Sequence, residues 1–197
     1  QKDISITNGH IQGSIVYDSG TGSYSGGGFS VAMSAPTIVP QNVLISHMTI
    51  SGCGTGINIG SGAVAVRFCA VRGISVGSGI VARTVDQCTV SECGAGGISA
   101  HVVANSYSTV TGNGDAIFAT EVVNCFGTSA SGKGINCTAA ANSTGLSTSG
   151  VGLQADTAHN SYGRTTSGTP GMNVVGTASF CRGRSDLVGG VAIQAGI

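Results

Sequence analysis

The chain has 197 residues, enough for one sizeable domain, and 34 Gly, 25 Ser and 19 Thr make up about two-fifths of it. Small polar residues at this level point towards disorder, but 21 Val and 16 Ile against 4 Leu is a β bias that disordered chains lack; helix bundles and coiled coils are excluded by the shortage of Leu, Glu and Lys. Eight basic and eight acidic residues cancel, so no basic field exists to gather nucleic acid or anionic lipid, and little charge keeps copies apart.

In chain order, Asp3-Ile4-Ser5-Ile6-Thr7-Asn8-Gly9 alternates as a half-buried strand, so Gln1 opens directly on strand without the apolar run of a signal peptide. Residues 17–41 carry Gly26-Gly27-Gly28 and two of the three prolines, and are expected to form an irregular, enlarged coil with a protruding loop. Asn42–Ser51 alternates again as strand. No stretch reaches the roughly 18 apolar residues of a membrane span.

From here to the end the chain repeats. A small–aliphatic–any–small signature recurs at Ile80, Ile98, Ile117, Ile135 and Leu153, spaced 18, 19, 18 and 18 residues apart, with looser copies at Ile57, Met172 and Ile193. A second ladder keeps the same phase: Cys69, Cys88, Ser106, Cys125, Ser143, Ser161 and Cys181, each preceded from Cys88 to Ser161 by Gln87, Asn105, Asn124, Asn142 or Asn160. A repeat of this length suits one coil of a β-solenoid, with successive coils about 4.8 Å apart and like residues stacked on like. The expected fold is all-β: a single-stranded right-handed parallel β-helix of 18–19 residues per coil and roughly nine coils, about 40 Å tall. Left-handed hexapeptide helices are disfavoured, since stepping by six from Ile80 reaches Asp86 and Glu92. The aliphatic column points inward, the asparagines Asn105, Asn124, Asn142 and Asn160 form a side-chain amide ladder, and glycines supply the positive-φ corners.

Seven cysteines cannot all pair within one chain. Cys69, Cys88, Cys125 and Cys181 share a column with serines, which marks an inward slot for a small side chain that a buried thiol fills as a small hydrophobe. A Cys69–Cys88 disulfide is geometrically allowed but not required, whereas Cys53 and Cys93 lie two coils apart, too far to bond.

The alternating runs Ile-Ser-Ile-Thr-Asn-Gly (4–9) and Met-Thr-Ile-Ser-Gly-Cys (48–53), followed by Gly-Ile coils, resemble the pectate-lyase-type right-handed β-helix superfamily. Later coils such as Val123-Asn124-Cys125-Phe126-Gly127 and Ala158-His159-Asn160-Ser161-Tyr162-Gly163 are similar to uncharacterised secreted bacterial β-helix repeat proteins. The resemblance covers nearly the whole chain and implies a fold and an extracellular or cell-surface location; a shared fold transfers no activity. The Asn-Thr-Asp, Asp-Asp, Gly-His-Gly and Arg-Ile-Lys motifs of the polygalacturonases have no counterpart here.

Chemistry is sparse. Asp86 aligns with Arg67 and Asp115 with Lys133 on neighbouring coils, which predicts surface ion pairs, and Glu92 and Glu121 align with no carboxylate. His10, His47, His101 and His159 are scattered, Gly112-Asn113-Gly114-Asp115 occurs once, and neither forms a metal motif; no metal, cofactor or catalytic residue is assigned. One outward column stands out, with Tyr107, Phe126 and Tyr162 immediately after the Cys/Ser ladder and Arg164 and Arg184 beside it. Such aromatics either stack on sugar rings or a partner, or stabilise the sheet as a ladder. Ser129/Ser131, Ser147/Ser149 and Thr165/Ser167 form a small-hydroxyl strip, without the regular Thr-x-Thr of an ice-binding array. Neither terminus reads as a cap, so either caps belong to flanking sequence or copies stack end to end, and self-association end to end or laterally is expected. These features predict an extracellular structural or adhesive solenoid with itself, and polysaccharide, as partners. The alternatives are a polysaccharide-binding module and a lyase- or hydrolase-like enzyme using Asp86, Glu92, Asp115 and Glu121.

Overall fold

The computed structural model describes residues 2–27, 30–32, 41–60, 62–167 and 169–195. All regular elements among them are strands, parallel except for one hairpin, stacked as a solenoid of about eight turns, close to the nine coils expected from the repeat. The expected column pairings hold residue for residue: Ile80, Ile98, Ile117 and Ile135 pair in succession, Leu153 pairs Ile135 on the next coil, and Met172 and Ile193 continue the line.

Each coil has three sides. The first carries strands such as Thr84–Asp86, the second strands such as Tyr107–Val110, and the third strands such as Leu153–Ala155. Parallel stacking lets each backbone amide bond the coil next to it, so the core needs only to fill the interior. Ile57, Ile80, Ile98, Ile117, Ile135, Leu153 and Met172 do this from the third side, all fully buried. Val43, Val64, Val85, Val103 and Val122, then Ala140 and Ala158, line the first side.

The corner between the first and second sides is set by one left-handed residue per coil. Asn8, His47, Phe68, Gln87, Asn105, Asn124, Asn142, Asn160 and Phe180 all have φ between 46° and 57°. Nine copies of this corner delimit eight turns. A left-handed residue bends the strand sharply and resets its alternation, so that Val122 and Cys125 both point inward on either side of Asn124. Asparagine tolerates this conformation best of the non-glycine residues, which is the first reason for the asparagine column.

The expectation that glycines make the positive-φ corners is therefore corrected. Only Gly22, Gly26, Gly52, Gly60, Gly73 and Gly189 have positive φ among the described glycines. Most of the others sit where two backbones touch. The inward column of the second side runs Ile50, Val71, Val90, Ser108, Gly127, Gly145, Gly163 and Gly183, so the interior narrows along the chain. In the narrow half a Cβ on Gly127, Gly145 or Gly163 would overlap the carbonyl oxygen of Gly134, Gly152 or Gly171 across the coil. At the crossover, Ser108 Oγ is fully buried and is the one buried side-chain polar atom without a partner among the described residues.

The hydroxyl strip is corrected too. Ser129, Ser147 and Thr165 point inward and are buried. Ser129 Oγ donates to the Gly114 carbonyl (2.8 Å) and accepts from the Gly132 amide (2.9 Å); Ser147 repeats the arrangement with Gly132 (2.6 Å) and Gly150 (2.8 Å). Each hydroxyl thus ties its own turn to the turn of the preceding coil. Within 17–41, the described residues include a hairpin, Val16–Asp18 against Ser23–Ser25, which folds back on the solenoid: Tyr24 Oη donates to the Glu92 carbonyl (2.7 Å) and bonds the Thr111 hydroxyl (2.9 Å). Of the expected loop, residues 28–29 and 33–40 lie outside the described residues.

Because no Cβ fits at the touching backbones, Gly145→Ala should lower stability by about 1–3 kcal/mol in urea denaturation followed by circular dichroism, whereas Gly27→Ala, whose Cβ meets only Ser14 Oγ at 4.0 Å, should shift the midpoint little.

Candidate functional site

The outward edge along the left-handed corners collects most of the residues singled out from the sequence. Its inner half is the Cys/Ser column. Cys69, Cys88, Ser106, Cys125, Ser143 and Ser161 are buried, and Cys181 partly so. Each side chain donates to the carbonyl two residues earlier, around the corner: Cys69 to Arg67 (3.2 Å), Ser106 to Ala104 (2.7 Å), Cys125 to Val123 (3.1 Å), Ser143 to Ala141 (2.8 Å), Cys181 to Ser179 (3.2 Å). The serines also accept an amide from the coil beneath, Cys88 N–H to Ser106 and Cys125 N–H to Ser143, both 3.1 Å. Cys53 and Cys93 repeat the bond around Gly52 and Glu92, which are left-handed as well (φ 64° and 53°). The slot selects a small side chain with a γ hydrogen-bond donor, which is why Cys and Ser exchange there and why a purely hydrophobic account of the slot is incomplete.

All seven thiols are free. Burial pushes Cys125 up to about 11 and Cys93 and Cys137 to about 12, which keeps them protonated and unreactive. Cys69 and Cys88 are neighbours in the column, and the approach of the two thiols draws Cys69 down and, together with burial, pushes Cys88 up.

The outer half of the edge is exposed. Asn105 Nδ2 donates to Asp86 Oδ1 (2.9 Å), Asn124 Nδ2 to Asn105 Oδ1 (3.2 Å), and Asn160 Nδ2 to Asn142 Oδ1 (2.8 Å). The amide ladder is therefore two segments, interrupted between Asn124 and Asn142. Asp86 anchors the first segment rather than pairing with Arg67, although the two are in register as expected. Asp115 likewise bonds the Lys133 backbone amide and the Asn136 side chain, both at 2.8 Å, rather than the Lys133 ammonium. The ion pairs that do form among the described residues are Arg72–Glu92 (2.8 Å) and Arg164 and Arg184 with Asp186. Asp186 is held below the usual carboxylate range chiefly by the Arg164 hydrogen bond. Solvent-exposed pairs of this kind contribute little to stability.

Two residues beyond the asparagines, Tyr107 and Phe126 lie in register on adjacent coils, ring centroids 5.4 Å apart and planes within 8°. With Gln87, Thr89, Asn124 and Thr144 they line a shallow open cleft of about 520 Å³, and no charged side chain lines it. Tyr162 continues the column beyond Thr144, and Arg164 is engaged with Asp186. The sequence reading missed His47, Phe68 and Phe180 as members of the corner column. His47 and Phe68 stack there at 4.9 Å, and Phe180 meets His159 edge-on. Their signal was position: Phe68 and Phe180 precede Cys69 and Cys181 as each asparagine precedes its serine or cysteine.

Among the described residues no group of three or more His, Cys, Asp or Glu side chains is placed to hold a metal ion, and no helix is long and apolar enough to cross a membrane. Comparison with protein-family models, with curated proteins and with solved structures finds no match to this chain. The functional reading rests on the geometry of this edge.

Ser143→Ala removes both the donor to Ala141 and the acceptor for the buried Cys125 amide, and should cost about 1–3 kcal/mol by thermal or urea unfolding; Ser143→Cys, which keeps a γ donor, should lose distinctly less.

Proposed function

We propose that the chain is an extracellular structural or adhesive β-solenoid whose side, along the left-handed corners, contacts polysaccharide. The observation that carries this reading is the Tyr107–Phe126 stack set beside the amide ladder on a scaffold that holds both in strict register. Aromatic rings bury apolar ring faces of a ligand, and amides supply paired donors and acceptors at their rim. A cleft without charged lining suits an uncharged, hydroxyl-rich polymer better than nucleic acid. The four residues that a polysaccharide-cleaving enzyme would draw on support that role less well: Asp86, Glu92 and Asp115 are each committed to an amide or arginine partner, and Glu121 pairs in register with Ala139. Retention on insoluble neutral polysaccharide should fall about tenfold or more in the Tyr107→Ala/Phe126→Ala double variant with the circular dichroism spectrum unchanged; equal retention of variant and parent would remove this reading.

A second surface favours contact between copies. The coil formed by residues 178–195 presents Phe180 (85% exposed) and Val188 (100%), with Leu187 and Ile193 also exposed. Among the described residues, its strands Arg182–Ser185 and Ile193–Ala195 have a neighbour on one side only. A second copy whose Lys2–Gln12 strand stacks there would continue the parallel register. Such a head-to-tail contact does not close and extends into a filament. Sedimentation velocity should show mass rising with concentration, and Phe180→Asp should shift the population back to monomer; a monomer at all concentrations would exclude the assembly.

A further inference from the structure

Both columns of the edge are interrupted at the coil of Asn142 and Thr144: the amide column between that coil and the coil of Asn124, the aromatic column at Thr144 itself. In the amide column, Asn124 donates away from the gap to Asn105, and Asn142 accepts from Asn160 on the far side. This leaves Asn124 Oδ1 and Asn142 Nδ2, one acceptor and one donor on adjacent coils, without a partner among the described residues. In the aromatic column, Thr144 stands between Phe126 and Tyr162, pairing in register with both.

Tyr107 and Phe126 stack along the solenoid axis, one ring per coil, so their faces look up and down the axis and their edges look outward. The free face of Phe126 therefore looks onto the level of Thr144. Phe126 and Tyr162 are two coils apart, about 9.6 Å, which leaves one ring-thick storey with about 4.8 Å to each neighbour, a little less than the 5.4 Å between the Tyr107 and Phe126 ring centroids. Phe126, Asn124, Asn142 and Thr144 all line the cleft.

We propose that this storey is a subsite for one uncharged pyranose ring of a polysaccharide, inserted between Phe126 and Tyr162 over Thr144. The proposal rests on the reading that this edge contacts polysaccharide, and specifies where and what it grips. A pyranose has C–H groups on its faces, which pack against the two aromatic side chains, and hydroxyls around its rim, each able to donate and accept. Asn124 Oδ1 takes a hydroxyl proton and Asn142 Nδ2 gives one to a hydroxyl oxygen, so the ligand completes the amide ladder at its missing rung. No charged side chain lines the cleft beside Phe126, and Arg164, two residues from Tyr162, is engaged with Asp186; this favours a neutral sugar over a uronate, since a carboxylate would be taken partly out of water without a free cation in that lining.

The test uses the whole chain and, as probes, neutral β-linked gluco-, xylo- and manno-hexaoses with an oligogalacturonate for comparison, with affinities measured by calorimetry. Thr144→Phe fills the storey and extends the stack; it should bind the neutral hexaose preferred by the parent about tenfold or more weakly while the unfolding midpoint holds or rises. Asn142→Gly keeps the left-handed corner (φ 50°) and removes the amide, and should weaken binding several-fold; it serves equally if Thr144→Phe does not fold. Unchanged affinity in both variants would overturn the subsite and leave the polysaccharide reading standing. Preference of the parent for oligogalacturonate would overturn the ligand class. Binding of none of the probes would overturn both.

Discussion

A left-handed residue at the same corner of every coil is the constraint on which the rest of this molecule depends. Strand, left-handed residue and strand make a corner of fixed shape, and a corner of fixed shape repeated at one register makes a solenoid whose coils superimpose. Several features trace to it. The asparagine column is filled by the residue that best tolerates the conformation; where His47, Phe68 and Phe180 stand instead, the corner keeps the same φ because the ladder on both sides imposes it. The Cys/Ser column follows because the residue after the corner lies over the carbonyl before it, and a γ thiol or hydroxyl is the group that reaches that carbonyl. The same bond recurs at Cys53 and Cys93, around a different left-handed position, which shows that it belongs to the corner and not to one side of the coil.

The second organising fact is the change of cross-section. Going along the chain, the first side trades Val for Ala and the second trades Ile and Val for Ser and then Gly, while the third side keeps its Ile, Leu and Met column. Opposite backbones approach until no Cβ fits, and the interior is then closed by hydroxyls that tie turn to turn. A narrow interior buries little apolar area per residue, so stability in that half leans on backbone ladders and close packing. The flattening also brings the outward edge under tight control: Tyr107 and Phe126 hold a near-parallel stack because the strands beneath them, with Ser108 and Gly127 inward, leave no slack.

What the edge offers to a ligand is accordingly periodic. Amides and rings recur at the coil spacing, and the interruptions in the two columns adjoin: the amide bond is missing between the coils of Asn124 and Asn142, and the ring is missing at Thr144 on the latter. A rigid periodic surface recognises a periodic partner with little loss of conformational entropy on the protein side, and this unites the adhesive reading with the specific subsite inside it.

Period, inward aliphatic column, parallel register and the stacking of Tyr107 on Phe126 were all legible in the amino-acid sequence, because each depends only on which residues share a column, and spacing of 18 or 19 residues assigns the columns. Three things were not legible. Glycines read as corner residues because glycine tolerates positive φ; only the folded coil shows that most of them lie where two backbones meet. Asp86 beside Arg67 and Asp115 beside Lys133 read as ion pairs because register brings them together, yet nearby amide donors at better geometry take both carboxylates. The break in the amide ladder has no mark in the sequence, since Asn124 and Asn142 are the same residue at the same repeat position. Sequence alone thus determined which residues are neighbours, a matter of counting along a repeat. Only the tertiary structure decided which neighbours bond, how closely backbones approach and which polar groups remain free, because those depend on distances of a few tenths of an ångström that no spacing encodes.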